Sequence, residues 1–370
     1  MSGIYFHFPF CKSRCIYCAF YSTTHLHMQE KYAEAMIEEF TQRFTEPYTA
    51  PYTIYFGGGT PSSMPIGILD TIIRGILDRI APEDITEWTI ECNPDDITED
   101  FAAWIASSPI NRVSMGIQTF NDTRLRWARR RHTAEQAVTA VKRLREHGIS
   151  NISIDLMFGF PGQTLEQWHD DLLQAINLRP EHISAYSLTV EEGTPLQSLC
   201  EKGTECATEE LSLQMYETLT ASLTRAGYEH YEISNFALPD YRSSHNSSYW
   251  QQTPYLGIGA AAHSYSGASR SWNVSDIETY IRTTHNGGTQ CESETIGGQE
   301  RYNDIIATML RTADGIPLDI LTTEQRSYLM SQAQRHIDNG NLEIDDRRIR
   351  LTRQALFISD SVMTDLIMIE

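Results

Sequence analysis

Three thiols stand close together near the start of the chain, in Cys11-Lys12-Ser13-Arg14-Cys15-Ile16-Tyr17-Cys18. This C-x3-C-x2-C spacing directly follows an apolar, β-rich run from Ile4 to Phe10. A cubane iron-sulfur cluster takes one thiolate per iron, so three cysteines from one loop hold three irons and leave the fourth open to another ligand. Zinc is the rival. Structural zinc wants four protein ligands, usually as two C-x2-C pairs, and the sequence has no second pair. Three-plus-one zinc sites occur, so the spacing by itself leaves both metals in play. A disulfide fits less well, because pairing within the trio strands an odd thiol, and Cys92, Cys200, Cys206 and Cys291 lack the regular spacing of a small secreted scaffold.

From Gly3 to about Gly227 short β-rich runs alternate with helical patterns, as in repeated βα units around a parallel sheet. Six strands are expected: Ile4-Phe8, Thr53-Phe56, Trp88-Glu91, Arg112-Ile117, Ile152-Met157 and His182-Leu188. Leu165, Trp168, Leu172 and Ile176 recur at helical spacing, and Thr98, Asp100 and Thr133 are candidate helix starts. In a parallel βα barrel the carboxyl ends of the strands form the active face. Polar and special residues gather there. The cysteine loop follows strand one, Gly57-Gly58-Gly59-Thr60-Pro61 follows strand two, and Glu91 and Gln118 close strands three and four. Asp155 lies in strand five ahead of Gly159-Phe160-Pro161-Gly162, and Tyr186-Ser187 ends strand six. Any one of these reads as a satisfied structural group or a tight turn; their convergence on one face reads as a binding site.

A basic island, Arg124, Arg126, Arg129, Arg130 and Arg131 with His132, follows strand four. Most of a charge run is a solvated helix face, with at least one member expected to turn inward. Past Gly227 the βα rhythm stops. Tyr228-Phe236 reads as one strand, and His245-Asn246-Ser247-Ser248-Tyr249-Trp250 as a polar-aromatic knot. Gly257 to His263 follows as a run of small residues. A helix from about Gln299, a hairpin around Asp345-Asp346-Arg347 and a closing helix read as a winged-helix-like unit. The expected division is 1–227 and 228–370.

The 370 residues, 41% hydrophobic, suffice for a large core and a smaller unit. A formal charge of −20 and a pI near 5.0 argue against a nucleic-acid partner, which needs a basic footprint. No signal peptide is recognisable and no apolar run nears the ~20 residues of a membrane span, so a cytoplasmic protein with reduced cysteines is expected.

With the cysteine loop after strand one and the glycine triplet after strand two, the chain resembles the radical S-adenosylmethionine (SAM) superfamily. Within it, the chain is similar to the oxygen-independent coproporphyrinogen oxidase group through Tyr5-Phe6-His7-Phe8-Pro9-Phe10-Cys11, the glycine triplet, Gly116-Ile117-Gln118-Thr119-Phe120-Asn121 and Asp155-Leu156-Met157-Phe158-Gly159-Phe160-Pro161-Gly162-Gln163-Thr164. Three features resemble the heme chaperones of that group. Phe20 stands where the oxidases have a further cysteine, their long leading segment has no counterpart, and His245 to Trp250 matches H-N-x-x-Y-W. Ile16 and Ala19 depart from the Pro and Asp common in relatives, and neither removes a ligand.

The resemblance implies an α/β fold, a partial (β/α)6 TIM-like barrel with a smaller C-terminal α+β domain. It implies a [4Fe-4S] cluster on Cys11, Cys15 and Cys18, its open iron chelated by SAM. It also places Tyr5, Tyr17, Gly58, Gly59, Thr60, Glu91, Gln118, Arg130, Asp155 and Ser187 around the SAM pocket. A cation such as Arg130 suits the SAM carboxylate and an acceptor such as Glu91 the ribose hydroxyls. The function implied is a heme chaperone that takes heme from a donor and passes it to apo-hemoproteins, respiratory ones and transient membrane-protein contacts included. His245 is the candidate heme ligand, with His263 and His7 behind it. The alternative is oxidative decarboxylation of coproporphyrinogen through a SAM-derived radical, chemistry that the cofactor carries and the protein orients. Electron transfer is a weaker third reading.

Overall fold

The computed structural model describes residues 1–45, 47–288 and 291–369. Six parallel strands run in chain order: β1 (Ser2–Phe8), β2 (Tyr52–Gly58), β3 (Ile85–Cys92), β4 (Arg112–Gln118), β5 (Ile152–Phe158) and β6 (His182–Ser187). All six expected strands form. Helices return the chain between them, as parallel pairing requires. Thr98 and Thr133 cap the helices Glu99–Ser107 and Ala134–Glu146 with their side chains, whereas Asp100 falls inside the first turn.

Residues along the strands sort by their period of two. One set, Ile4, Phe6, Phe8, Ile54, Phe56, Trp88, Ile90, Val113, Met115, Ile154, Leu156 and Ile183, joins a single apolar core. The alternate positions carry Tyr5, His7, Tyr55, Glu91, Arg112, Ser114, Asp155 and Ser184, a markedly polar set for buried strands. Apolar side chains pack the surrounding helices, and many of the polar ones face a common interior.

The sheet continues on both edges. β7 (Glu229–Glu232) and β8 (Asn235–Ala237) add antiparallel beyond β6, while β9 (Tyr255–Ile258) pairs parallel with β1. β10 (His263–Tyr265), β11 (Ser269–Asn273) and β12 (Cys291–Thr295) extend that edge to twelve strands. Tyr228-Phe236 is therefore a hairpin and not the one strand expected. Glu232 makes the reversal: its buried carboxylate accepts from the Ser234 N–H at 2.9 Å and pairs with Arg311 at 3.1 Å. Gly227 lies in the turn between helix Glu209–Arg225 and β7, and the sheet and the main core both include residues from either side of it.

A second core, from Tyr302 to Leu366, belongs to three helices and a small antiparallel sheet of β13 (Ile316–Pro317), β14 (Leu342–Ile344) and β15 (Arg348–Leu351). The helical stretch expected from about Gln299 forms as two helices, Gly298–Met309 and Thr323–Asp338, with β13 between them; the β14–β15 hairpin and the closing helix Ser359–Leu366 follow as expected.

Candidate functional site

The carboxyl ends of β1 to β6 surround a cavity of about 710 Å³. Its size lies within the range of small-molecule and cofactor pockets. Cys11, Cys15 and Cys18 all line it, and all three are free thiols. The cysteine loop is stitched to the end of β2, where the Gly59 and Thr60 N–H groups donate to Phe8 and Phe10 carbonyls at 2.7 and 2.8 Å. A Cβ on Gly59 would lie 2.7 Å from the Phe8 oxygen, so only glycine permits this approach. Gly58, at φ +106°, donates its N–H to Glu91 at 3.0 Å. The triplet's donors thus position the cysteine loop and Glu91 and are not free for a ligand.

Polar groups touch the thiols. Arg130 Nη1 approaches Cys15 Sγ at 3.4 Å, and Thr60 Oγ1 lies 3.5 Å from Cys11 Sγ. Burial pushes the Cys11 and Cys18 thiols up. A guanidinium and hydroxyl beside the sulfurs suit thiolate charge, and a cubane spreads its ligands over separate irons, so the donor set fits the cluster. Among the described residues no three His, Cys, Asp or Glu side chains are arranged around a single metal ion.

Of the basic island, Arg130 alone is hydrogen-bonded to a cysteine of the trio among the described residues; it also bonds Asn93 and the Gly116 carbonyl, and its buried Nε has no partner. Burial opposes its charge, but Tyr17 and Cys15 outweigh that and hold it protonated. Arg131 pairs with Asp95 and Asp96, Arg126 bonds Thr123, and Arg124 bonds Gln167. Arg129 and Arg131 line the cavity as well.

Glu91, held by the Tyr55 hydroxyl at 2.8 Å and by Gly58, is pushed up to about 7, chiefly by burial. Burial likewise raises Asp155 to about 6. Gln118 adopts φ +72° at a register shift between β4 and β5, a strained left-handed conformation of the kind that clusters at binding sites. Tyr17, Gly58, Gly59, Thr60, Glu91, Gln118, Arg130, Asp155 and Ser187 all line the cavity. Tyr5 is not in its wall: its hydroxyl bonds His7 Nδ1 at 3.1 Å, and its ring lies 6.0 Å from that of Tyr55.

The knot sits differently. His245 is fully buried at the amino ends of β1 and β2, its Nδ1 2.9 Å from Thr53 Oγ1 and its Nε2 2.8 Å from the Tyr249 hydroxyl. Its ring stacks on Tyr55 at 5.0 Å, and burial lowers its pKa to about 3. Neither ring nitrogen is free in this conformation. Asn246, next along, lines the cavity, and the Arg311 guanidinium covers the Trp250 ring at 5.3 Å. His7 is buried and bonded at both nitrogens, whereas His263 is exposed on β10.

Sequence reasoning missed Arg112, Asn93, Tyr55, Ser114 and Ser184 in the cavity wall. Arg112 is 1% exposed with an unpartnered buried Nε. The signal was the alternation itself, a charged residue opening the otherwise apolar-and-small run Arg-Val-Ser-Met-Gly.

The radical SAM superfamily model matches residues 5–175. The heme chaperone HemW of Bacillus subtilis is 37% identical, and that of Lactococcus lactis 32% identical, each over 98% of both chains. The chain belongs to the HemW family. The family lies in the radical SAM superfamily, which implies a [4Fe-4S] cluster and SAM. Coproporphyrinogen III oxidase (HemN) from Escherichia coli shares the fold, with a TM-score of 0.83 at 20% identity, over 98% of this chain and 89% of that one. No helix among the described residues is long and apolar enough to cross a membrane.

Proposed function

We propose that this HemW-family protein is a heme chaperone that carries a SAM-ligated [4Fe-4S] cluster on Cys11, Cys15 and Cys18 and hands heme to apo-hemoproteins. One observation supports it most: the three free thiols, Arg130 and the carboxylates Glu91 and Asp155 share one cavity, in a chain similar from end to end to proteins named heme chaperones. Bound there, the cluster and SAM would supply redox and radical chemistry that side chains lack. The chain's own part is positional. Arg130 neutralises thiolate charge and receives the SAM carboxylate, Glu91 and Asp155 accept from ribose hydroxyls, and Tyr17, Gly58, Gly59, Thr60, Gln118 and Ser187 shape the walls. Tyr5 acts from behind, adjoining Tyr55.

His245 ligates heme iron in this reading only if its helix, Ser244–Trp250, lifts off β2 and releases Thr53 and Tyr249. Otherwise its motif braces the fold and the exposed His263 is the better placed ligand. Phe20, 70% exposed at the cavity mouth, stands where the oxidases' further cysteine would be, which favours the chaperone over the decarboxylase.

The test is anaerobic reconstitution, followed by separate incubation with heme and with coproporphyrinogen in the presence of SAM and reductant. Saturable growth of a Soret band with coproporphyrinogen unchanged is the expected result. Formation of protoporphyrinogen overturns it.

A further inference from the structure

Outside the cluster trio, two other thiols face each other. Cys200 Sγ and Cys206 Sγ lie 4.0 Å apart, both half-buried. They close the ends of a turn in the segment 188–207, which runs along one side of the cavity. Thr189 and Glu191 line it, the Leu196 N–H donates to the Ile16 carbonyl of the cysteine loop at 2.9 Å, and the Ala207 N–H donates to Gly159 at 3.2 Å. The two cysteines pack with Tyr17 and Trp127 around Ala128, Met157, Phe160, Leu188 and Leu196.

The turn between them is held only locally. Gly203 N–H bonds the Cys200 carbonyl and Thr204 N–H the Leu199 carbonyl, both at 3.0 Å; Gly203 sits at φ +100° with open space where a Cβ would be. Bringing two sulfurs from 4.0 Å to the ~2.05 Å of a disulfide needs side-chain rotation and a small adjustment of such a turn.

We propose that Cys200 and Cys206 are a reversible dithiol–disulfide pair that closes and stiffens the turn of the 188–207 strap where it packs beside the cysteine loop. The oxidant is a low-molecular-weight disulfide. The Cys200 thiolate attacks one sulfur of glutathione disulfide and expels a glutathione thiolate; Cys206, losing its proton to solvent, then attacks Cys200 Sγ and expels the second. Two electrons pass from the pair to glutathione disulfide, one S–S bond breaks and one forms. Burial, then the neighbouring Cys200, push Cys206 up to about 11, so the second step is slow at neutral pH and accelerates as pH rises. Reduction by a dithiol reverses both steps. The pair is independent of heme and of the assignment of Cys11, Cys15 and Cys18.

Trypsin cuts after Lys202, between the two cysteines, so their peptides travel together only when joined by sulfur. The full-length protein is equilibrated with glutathione and glutathione disulfide at fixed ratios, acid-quenched, alkylated and digested. Expected are a linked peptide pair that grows with the disulfide fraction and vanishes with dithiothreitol, and a glutathione adduct on Cys200 in Cys206→Ser. Amide exchange across 188–207 should slow roughly tenfold in the linked form, as for a crosslink closing a short loop. Free, alkylated Cys200 and Cys206 across the series, or linkage of either to another cysteine, overturns the pairing. Unchanged exchange in the linked protein overturns the stiffening of the strap.

Discussion

The two ends of the barrel treat buried polar groups in opposite ways. At the amino ends, His245 has a partner for each ring nitrogen, and the Ser244 and His245 N–H groups both donate to Glu87, at 2.8 and 2.9 Å. Around the cavity at the carboxyl ends, Arg130 keeps a buried Nε without a partner, as does Arg112, which reaches the cavity from the amino end of β4, and two buried carboxylates are held well above their ordinary range. Buried polar atoms are nearly always paired, so those left over mark where a ligand is expected to complete the set. A histidine with both ring nitrogens bonded is equipped to hold a structure together; a wall with donors to spare is equipped to bind.

Replacing the thiol at the centre of the spare-donor wall breaks this contrast most severely. Cys15→Ala should abolish the visible absorption of the reconstituted cluster and its iron content. Cys92, 4% exposed on the apolar side of β3, should tolerate the same substitution with the cluster intact. Next is Arg130, compared with Arg126 on cluster-loaded protein. Loss of a charge-assisted bond costs about 1.5 to 3 kcal/mol, so Arg130→Ala should weaken SAM binding roughly ten- to hundredfold. Arg126→Ala should leave it unchanged. Equal losses would mean a diffuse field in place of a specific contact.

Much of the carboxyl end was legible because its residues announce themselves by type at strand ends. Cysteines, a glycine triplet, Glu91, Gln118 and Asp155 are each unusual where a strand stops. Arg112 was not, since it opens β4 and reaches the cavity from the strand's far end, a placement that depends on which face of the strand looks inward. The hairpin at Ile233-Ser234 was hidden for another reason: its turn lacks Gly, Pro or Asn at the centre and relies on Glu232 and the distant Arg311. The role of His245 depends on Thr53, far off in sequence, which local pattern cannot supply.

At the amino end the contrast sharpens through stability. His245→Ala leaves Thr53 and Tyr249 facing a void, and an unsatisfied buried group costs about 1 to 3 kcal/mol. The denaturant midpoint should fall accordingly. A heme titration of the same variant, at a temperature where it stays folded, separates brace from ligand. A Soret band equal to that of the parent assigns His245 to bracing alone, and a weakened band assigns it to iron.

The smallest effect concerns protons at Glu91. Its folded pKa, about 7, lies above the ordinary carboxylate value of 4.5, so the folded protein holds a proton that the unfolded chain releases between those values. Stability contributed by the neutral carboxyl is fully present below pH 4.5 and is lost as pH rises through about 7. Ligand binding should run the other way, because a carboxylate accepts ribose hydroxyls more strongly than a protonated carboxyl does. The groups facing it are Tyr55 and Gly58 as donors, Asp155 as a second acid and Arg112 as a cation. Asp155, pushed up to about 6, therefore titrates nearby. SAM affinity of the cluster-loaded protein should fall by up to roughly tenfold between pH 8 and pH 6, following the ionised fraction of a group with a pKa near 7. Glu91→Gln should bind more weakly at pH 8 and lose the part of the slope centred near 7, keeping only the Asp155 part below it. A slope unchanged in Glu91→Gln would move the titrating acceptor to Asp155 and remove Glu91 from contact with the ligand.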